Sequence, residues 1–412
     1  KHITPTFYCE GASFGDINKD GKNDVVSGPY WYAGPDFTAR QEIYPAKAFK
    51  PKGYSQNFLN WVADINDDGW PDYIVGGFPG KESWWYENPK GKSGLWKQHV
   101  IIKVTDNESP HFADITGDGK PELVCSSGGF FGYATPNASD PTKLWNWHKI
   151  SEKIAGGRFT HGLGIGDVNG DGRNDLLFAK GWLEQPKSLQ GDPLWKLHSV
   201  AFGNGGAQMY AYDFNGDGLN DVLTSIRAHA YGISWFEQTK DGKFIEHRFM
   251  DKETSANRYG VAFSQMHSID LLDMDGDGLK DIVTGKRYWA HNGRDPGGND
   301  PAVLYWFKLV RNGKKAADVD FVPYRIDGDS GVGTQVMAGD VSGNGHPDIV
   351  VGNKKGTFVH LHTTRKVSKQ EWEAAQPKPI KKGAFAPVNG AKLAASNAAG
   401  GHSCPHCSTA EK

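Results

Sequence analysis

Cysteine is scarce in this chain, with four among 412 residues. Cys9 and Cys125 stand alone, and Cys404 and Cys407 sit close together near the end. That spacing provides no disulfide framework. Long apolar runs are missing too, and nothing approaches the ~18 residues of a membrane-spanning helix. A surplus of positive charge is absent: the net charge of −2 argues against a nucleic acid held through its phosphates. Neither a Gly-Lys-Ser phosphate loop nor a Gly-x-Ser-x-Gly elbow occurs, which sets aside two large groups of enzymes. Helical periodicity is lacking as well.

What the chain has in quantity is glycine, with 53, and aromatic residues at 12%. It also has one nine-residue phrase, repeated. Asp16-Ile17-Asn18-Lys19-Asp20-Gly21-Lys22-Asn23-Asp24 is the first copy. Others run over Asp64–Asp72, Asp114–Glu122, Asp167–Asp175, Asp213–Asp221, Asp273–Asp281 and Asp340–Asp348. Oxygen-bearing side chains at alternate positions followed by a glycine turn suit a hard cation such as calcium. The candidate ligands are Asp16, Asn18, Asp20, Asp24; Asp64, Asn66, Asp68, Asp72; Asp114, Thr116, Asp118, Glu122; Asp167, Asn169, Asp171, Asp175; Asp213, Asn215, Asp217, Asp221; Asp273, Asp275, Asp277, Asp281; and Asp340, Ser342, Asn344, Asp348. The loop is not an EF-hand, because its last acid falls at position nine rather than twelve. Seven near-identical loops cannot all be an active site, so a structural role for calcium is expected of them.

Each phrase has the same surroundings. A short strand leads in, an apolar strand such as Tyr73-Ile74-Val75 follows, and a third strand often reads Trp-x-Glu, as at Trp85–Glu87, Trp182–Glu184 and Trp235–Glu237. A fourth carries a histidine: His99, His148, His198 or His247. Four strands in each of seven units predict an all-β seven-bladed propeller. The last unit lacks a fourth strand, and Lys1-His2-Ile3 is expected to supply it and close the ring. The propeller is expected over 1–364. Residues 365–412, rich in Lys, Ala and Pro, read as a flexible tail ending in a Cys404-Pro405-His406-Cys407 group. Calcium loops favour an extracytoplasmic location, periplasmic or secreted, although no leader is visible.

On these motifs the chain resembles the FG-GAP or VCBS repeat proteins, which include the integrin α propeller. The phrases Phe159–Gly164, Gly205–Met209, Phe263–His267 and Ser330–Gln335 look similar to bacterial propeller enzymes of the aldos-2-ulose dehydratase and rhamnose–glucuronate lyase types. The resemblance implies a propeller fold and points to carbohydrate chemistry, since fold alone does not set function.

The repeat also serves as an internal standard. Histidines found at one place in many units belong to the scaffold. Five do not: His111, His161, His229, His267 and His291. All lie where strands meet the rim opposite the acidic loops. Arg227 and Arg287 sit six residues after the last acid of their motifs, as does Lys354, and Lys180 and Lys286 sit at five. Gln208, Gln265 and Gln335 add amides, and Tyr231 and Trp289 add rings. Such a mouth suits a keto-sugar or a uronate-containing glycan. The expected reaction is β-elimination, a carbon–oxygen lyase or dehydratase activity. His161, His229 and His267 are the expected acid, base or metal ligands, with Tyr231 as an alternative base. Lys180, Arg227, Arg287, Gln208, Gln265, Gln335, His111, His291 and Trp289 would bind substrate. Positive charge for the enolate comes from the cations or from a further divalent ion held by histidines. The alternative is a non-catalytic carbohydrate-binding or adhesion propeller, which would present repeated pockets rather than one asymmetric mouth. A scaffold for a tail-linked partner is a third reading.

Overall fold

The computed structural model describes residues 1–254 and 257–380, so the Cys404–Cys407 group lies outside the described residues. The described chain is all-β, with curled sheets of four, seven, eight, four and four strands, antiparallel except where Leu163–Gly166 pairs in parallel with Gln208–Tyr212. The inner strands are Ser13–Gly15, Asn57–Ala63, the second half of Lys97–Ala113, Leu163–Gly166, Gln208–Tyr212, Ile269–Leu272 and Val336–Gly339. Successive inner strands neighbour one another, and Ser13–Gly15 also lies against Asp348–Asn353. In the last unit the outermost strand is His2–Thr4, paired antiparallel with Gly356–His360. His2 stacks on Phe358 at 4.1 Å, the place its counterparts take in other units.

The core consists of apolar clusters packed between successive groups of strands. One of them, with Ala12, Val25, Val341, Val350 and Val359, joins the last unit to the first. The Trp-x-Glu pattern has a local cause. Trp85, Trp182 and Trp235 lie opposite His99, His198 and His247 on the next strand. The rings stack at 4.6, 3.9 and 4.6 Å. The glutamates two residues on, Glu87, Glu184 and Glu237, pair with the same imidazoles at 3.0, 2.7 and 2.8 Å. Cross-strand pairs of this kind fix register.

Each acidic loop turns on its sixth residue. Gly21, Gly69, Gly119, Gly172, Gly218, Gly278 and Gly345 all have φ between 83° and 93°, the left-handed region that side chains disfavour. The ninth residue is buried in every copy. Apart from Glu122, these carboxylates join two parts of the unit. One oxygen accepts a loop N–H and the other accepts an N–H at the end of the third strand. Asp72, for example, accepts from Ile65 N at 2.9 Å and Asn88 N at 2.8 Å. Asp24, Asp175, Asp221, Asp281 and Asp348 do the same. Outside the Glu122 copy, position nine is therefore a hydrogen-bonded clip as well as a candidate cation ligand. Two loops gather three acids close enough to share an ion: Asp114 with Asp118 and Glu122, and Asp273 with Asp275 and Asp281.

Past the last unit, the segment expected to be a linker forms helix α1, Lys369–Ala375, capped by Ser368 Oγ accepting from Glu371 N. Tyr324 then donates to Gln376 Oε1 at 2.5 Å, and Ile380 N donates to Arg258 O at 2.8 Å.

Candidate active site and metal centre

Six residues before the first acid of each motif, the chain enters its inner strand. The seven occupants of that place are Glu10, Phe58, Glu108, His161, Ala207, His267 and Thr334. Equivalent backbone thus presents unlike chemistry, and three of these side chains meet. Glu108 is delivered by a strand whose start is bonded to the neighbouring unit: Asn107 N donates to Arg158 O, and Glu108 N to Thr160 O. His161 follows directly. His267 leads into Ile269–Leu272 from Gln265, which has φ 59°. A fourth group, His229, comes from the turn after Asp221–Ser225, pinned by Ala228 N to Gly205 O and Gln265 N to Ala230 O.

The rings of His161, His229 and His267 form a near-equilateral triangle, with centroids 4.9–5.0 Å apart. Their Nε2 atoms converge. His229 Nε2 lies 3.1 Å from His161 Nε2. Glu108 Oε2 lies 3.2 Å from His267 Nε2 and 3.6 Å from His161 Nε2. A four-coordinate ion with bonds of ~2.1 Å sets its ligands ~3.4 Å apart, which matches. His267 is fully buried, yet neither of its ring nitrogens makes a hydrogen bond among the described residues. The 3.2 Å approach to Glu108 is thus close without hydrogen-bond geometry, as expected of two atoms facing a shared ion. Burial lowers the pKa of His229 to about 4 and holds that of His267 well below its ordinary value. Neutral imidazoles are the form a metal needs.

A second ring of groups supports the first. Asp295 Oδ2 lies 3.2 Å from His229 Nδ1, and its Oδ1 lies 3.0 Å from His291 Nδ1. The Asp295 carboxylate beside Nδ1, close but without hydrogen-bond geometry, favours the proton on that nitrogen and leaves the lone pair of His229 at Nε2, towards the cluster. Burial works against ionised Asp295, but its bonds to the two histidines outweigh this and hold its carboxyl well below the usual range. Arg287 is 1% exposed and lies between Glu108 Oε2 at 3.5 Å and Glu10 Oε2 at 3.3 Å. Its guanidinium is 5.9 Å from the ring centres of Tyr54 and Phe58. Tyr54 OH accepts from His291 N. The segment carrying His291 and Asp295 is strained: Trp289, His291 and Asn292 have φ of 57°, 48° and 59°. Such backbone persists where the surroundings hold it, often at functional sites.

The structure brings together four of the five singled-out histidines, together with Arg287. His111 stands apart. It faces Tyr210, with Nε2 3.0 Å from Leu163 O between units. Gln208 and Gln335 are spent on backbone: Gln208 bonds Thr334 O and Ile269 N, and Gln335 bonds both main-chain groups of Asn60. These amides tie inner strands together instead of facing a ligand. Lys180 and Arg227 are exposed in turns. Tyr231 lies beside Ser264 and Asp300, and Trp289 stacks on Tyr288. Gln265 is fully buried with both amide atoms unpartnered among the described residues. Sequence reasoning missed Glu10, Glu108, Asp295 and Tyr54. The first two carried a signal, since they share the strand-entry place of His161 and His267.

Models of FG-GAP repeats match this chain: the FG-GAP-like repeat over 64–125 and 213–284, and the FG-GAP repeat over 332–362. Integrin alpha-PS2 of Drosophila melanogaster is 23% identical over 380 residues. The match takes in 87% of this chain but 22% of that protein, so the chain spans about a fifth of its curated relative. Among solved structures, a lectin of Agrocybe aegerita that recognises non-reducing terminal N-acetylglucosamine is 17% identical, with a TM-score of 0.43. That match covers 73% of this chain and 79% of the lectin. Rhamnogalacturonan lyase YesW is 12% identical, also with a TM-score of 0.43, over 92% of this chain and 78% of the lyase.

Proposed function

We propose that this chain of FG-GAP repeats is a closed seven-bladed propeller, its acidic loops held by calcium, and a divalent-metal-dependent carbon–oxygen lyase acting on a carbohydrate at one mouth of its channel. The observation that carries the reading is the convergence of His161, His229 and His267 with Glu108 beside a buried Arg287 and Lys354. Those four residues would hold the ion. When bound, it supplies Lewis-acid polarisation of a carbonyl or carboxylate oxygen, which makes the neighbouring C–H acidic. Asp295 orients His229, and Arg287 holds Glu108 in place while sharing its charge with Glu10. Tyr54 and Trp289 offer ring faces to a sugar.

The charge balance favours an oxygen-rich anionic or enolising substrate. Arg287 and Lys286 offset two of the three carboxylates of Glu10, Glu108 and Asp295, so a divalent ion leaves the mouth positive. An extracytoplasmic location accords with calcium-dependent loops. The acidic loops fit calcium through their oxygen-only donors.

The test is metal analysis of the protein after dialysis against Mn²⁺, Co²⁺ or Zn²⁺, with His161→Ala and His267→Ala alongside. About one ion per chain, lost in both variants, is expected, followed by ultraviolet-absorbing product from a panel of uronate-containing and keto-sugars. No ion in the unaltered chain removes the metal centre. Glycan binding without turnover assigns the mouth to recognition instead.

A further inference from the structure

With three histidines taken as ligands, the elimination needs a proton carrier, and burial raises the phenol of Tyr231, beside Ser264 and Asp300, above its ordinary value. One further group at the mouth meets the need. Lys354 follows the strand Asp348–Asn353, at the place where the preceding unit has Arg287. It is 3% exposed. Its Nζ lies over the ring of Tyr54, 4.1 Å from the centroid, the ring that Arg287 also approaches. Tyr54 in turn meets His291.

Its neighbours at this rim differ from it in one respect. Lys286 Nζ donates to Gly298 O. Arg287 lies between two carboxylates. Lys355 pairs with Asp329. Lys354 Nζ makes no hydrogen bond or ion pair among the described residues, and it is not one of the fully buried unpartnered atoms, so it keeps a little exposure. An ammonium so largely withdrawn from water without an acceptor is costly, and the cost falls if the amine is neutral or if a ligand completes the site.

We propose that Lys354 is the proton-transfer group of this mouth, a catalytic amine facing the sugar across from the histidine cluster. This rests on the lyase reading. The neutral amine takes the proton on the carbon next to the carbonyl or carboxylate: a C–H bond breaks and an N–H bond forms. The released electron pair becomes the new C=C bond as the C–O bond to the leaving group breaks. The leaving oxygen keeps that bond's electrons and takes the proton from the ammonium. An unsaturated sugar and an alcohol or water result, and the amine is neutral again.

The groups facing Lys354 are Glu10 and Glu108, Asp295, Arg287 and the ring of Tyr54. Burial is the largest influence and lowers the ammonium to about 8. Arg287 adds to that, and the three carboxylates oppose it.

Two measurements on the full-length chain decide the matter. The first needs no substrate: trace labelling with acetic anhydride across pH 6–11, read at each lysine by mass spectrometry. Lys354 is expected to react with a midpoint near 8, below the ~10.4 of a free lysine side chain. A midpoint at the free-lysine value, or no labelling of Lys354 at any pH, overturns the proposal. The second uses Lys354→Met and Lys354→Arg loaded with the metal the unaltered protein takes up. Metal content is expected to be unchanged and turnover to fall at least ~100-fold in both, with loss of the rise in kcat/KM through pH 8. Turnover within about threefold of the unaltered enzyme also overturns it. Failure of the unaltered chain to take up metal counts against the lyase reading alone, and the labelling still decides for Lys354.

Discussion

The ninth residue of the acidic loop separates two roles that the repeat had combined. Asp72 is fully buried and accepts two main-chain N–H bonds, at 2.9 Å from Ile65 and 2.8 Å from Asn88. Asp72→Ala removes both acceptors and leaves two buried donors unpaired. Burial raises the Asp72 carboxyl to about 7, so the comparison is made near pH ~8.5, where it is ionised; a hydrogen bond to a charged group is worth about 1.5–3 kcal/mol, and the variant should lose about 3–5 kcal/mol there with no ion present. Asp64 opens the same loop but is exposed, and it accepts from Asp68 N at 3.1 Å and Gly69 N at 2.7 Å. Water can replace it for those donors, so Asp64→Ala should cost about 1 kcal/mol. Equilibrium unfolding in denaturant, followed by tryptophan fluorescence with a chelator present, gives both values. Adding calcium should then enlarge the cost of Asp64→Ala, because ion binding stabilises only the intact loop. If the two variants are equally destabilised in chelator, or if Asp72→Ala stays within 1 kcal/mol of the unaltered chain, the clip does not exist as described.

Other outcomes follow from the same geometry. Arg287→Met strands Glu10 and part of Glu108 in the interior and should cost about 3–5 kcal/mol. Adding Glu10→Gln should recover a good part of that in denaturant unfolding, and simple additivity would refute the pairing. His111 is held at about 4 by burial, below its unfolded value of ~6.5. Between those values the unfolded chain binds the extra proton. Its contribution is therefore complete above pH 6.5 and is lost as pH falls towards 4, on the order of 3 kcal/mol. NMR titration should find His111 neutral at pH 5.5, and a protonated ring there would contradict the burial argument.

The repeat made the scaffold readable. Strand pairs, the glycine of each loop and the Trp–His–Glu triplets all arise from residues close in sequence or one strand apart. The site was only partly readable, for identifiable reasons. Glu10 and Glu108 share the strand-entry place of His161 and His267, but in a chain with 48 acidic residues they read as ordinary charges. Asp295 comes from the long connection 286–303, which folds back over the mouth, and no local pattern records such a return. His111 falls three residues before its motif rather than six, an odd step from the His161 place, and a strand turns alternate side chains to opposite faces. Gln208 and Gln335 bond to residues 61 to 275 positions away, a relation that composition cannot reveal. The helix at Lys369–Ala375 had a usable sign in Ser368 followed by Glu371.

The pairing of His2–Thr4 with Gly356–His360 also bears on the order of assembly. Bringing together segments more than ~350 residues apart carries a loop-closure cost of about 5 kcal/mol from its length-dependent part. If the inner sheets form first, they already hold the two ends near each other, and most of that cost has been met before the seam forms. The short strand should therefore dock late in folding, and in the native protein it should be among the first segments to exchange its amide protons. Hydrogen exchange at Ile3 and Thr4, compared with Val350 in the adjoining sheet, would time the event.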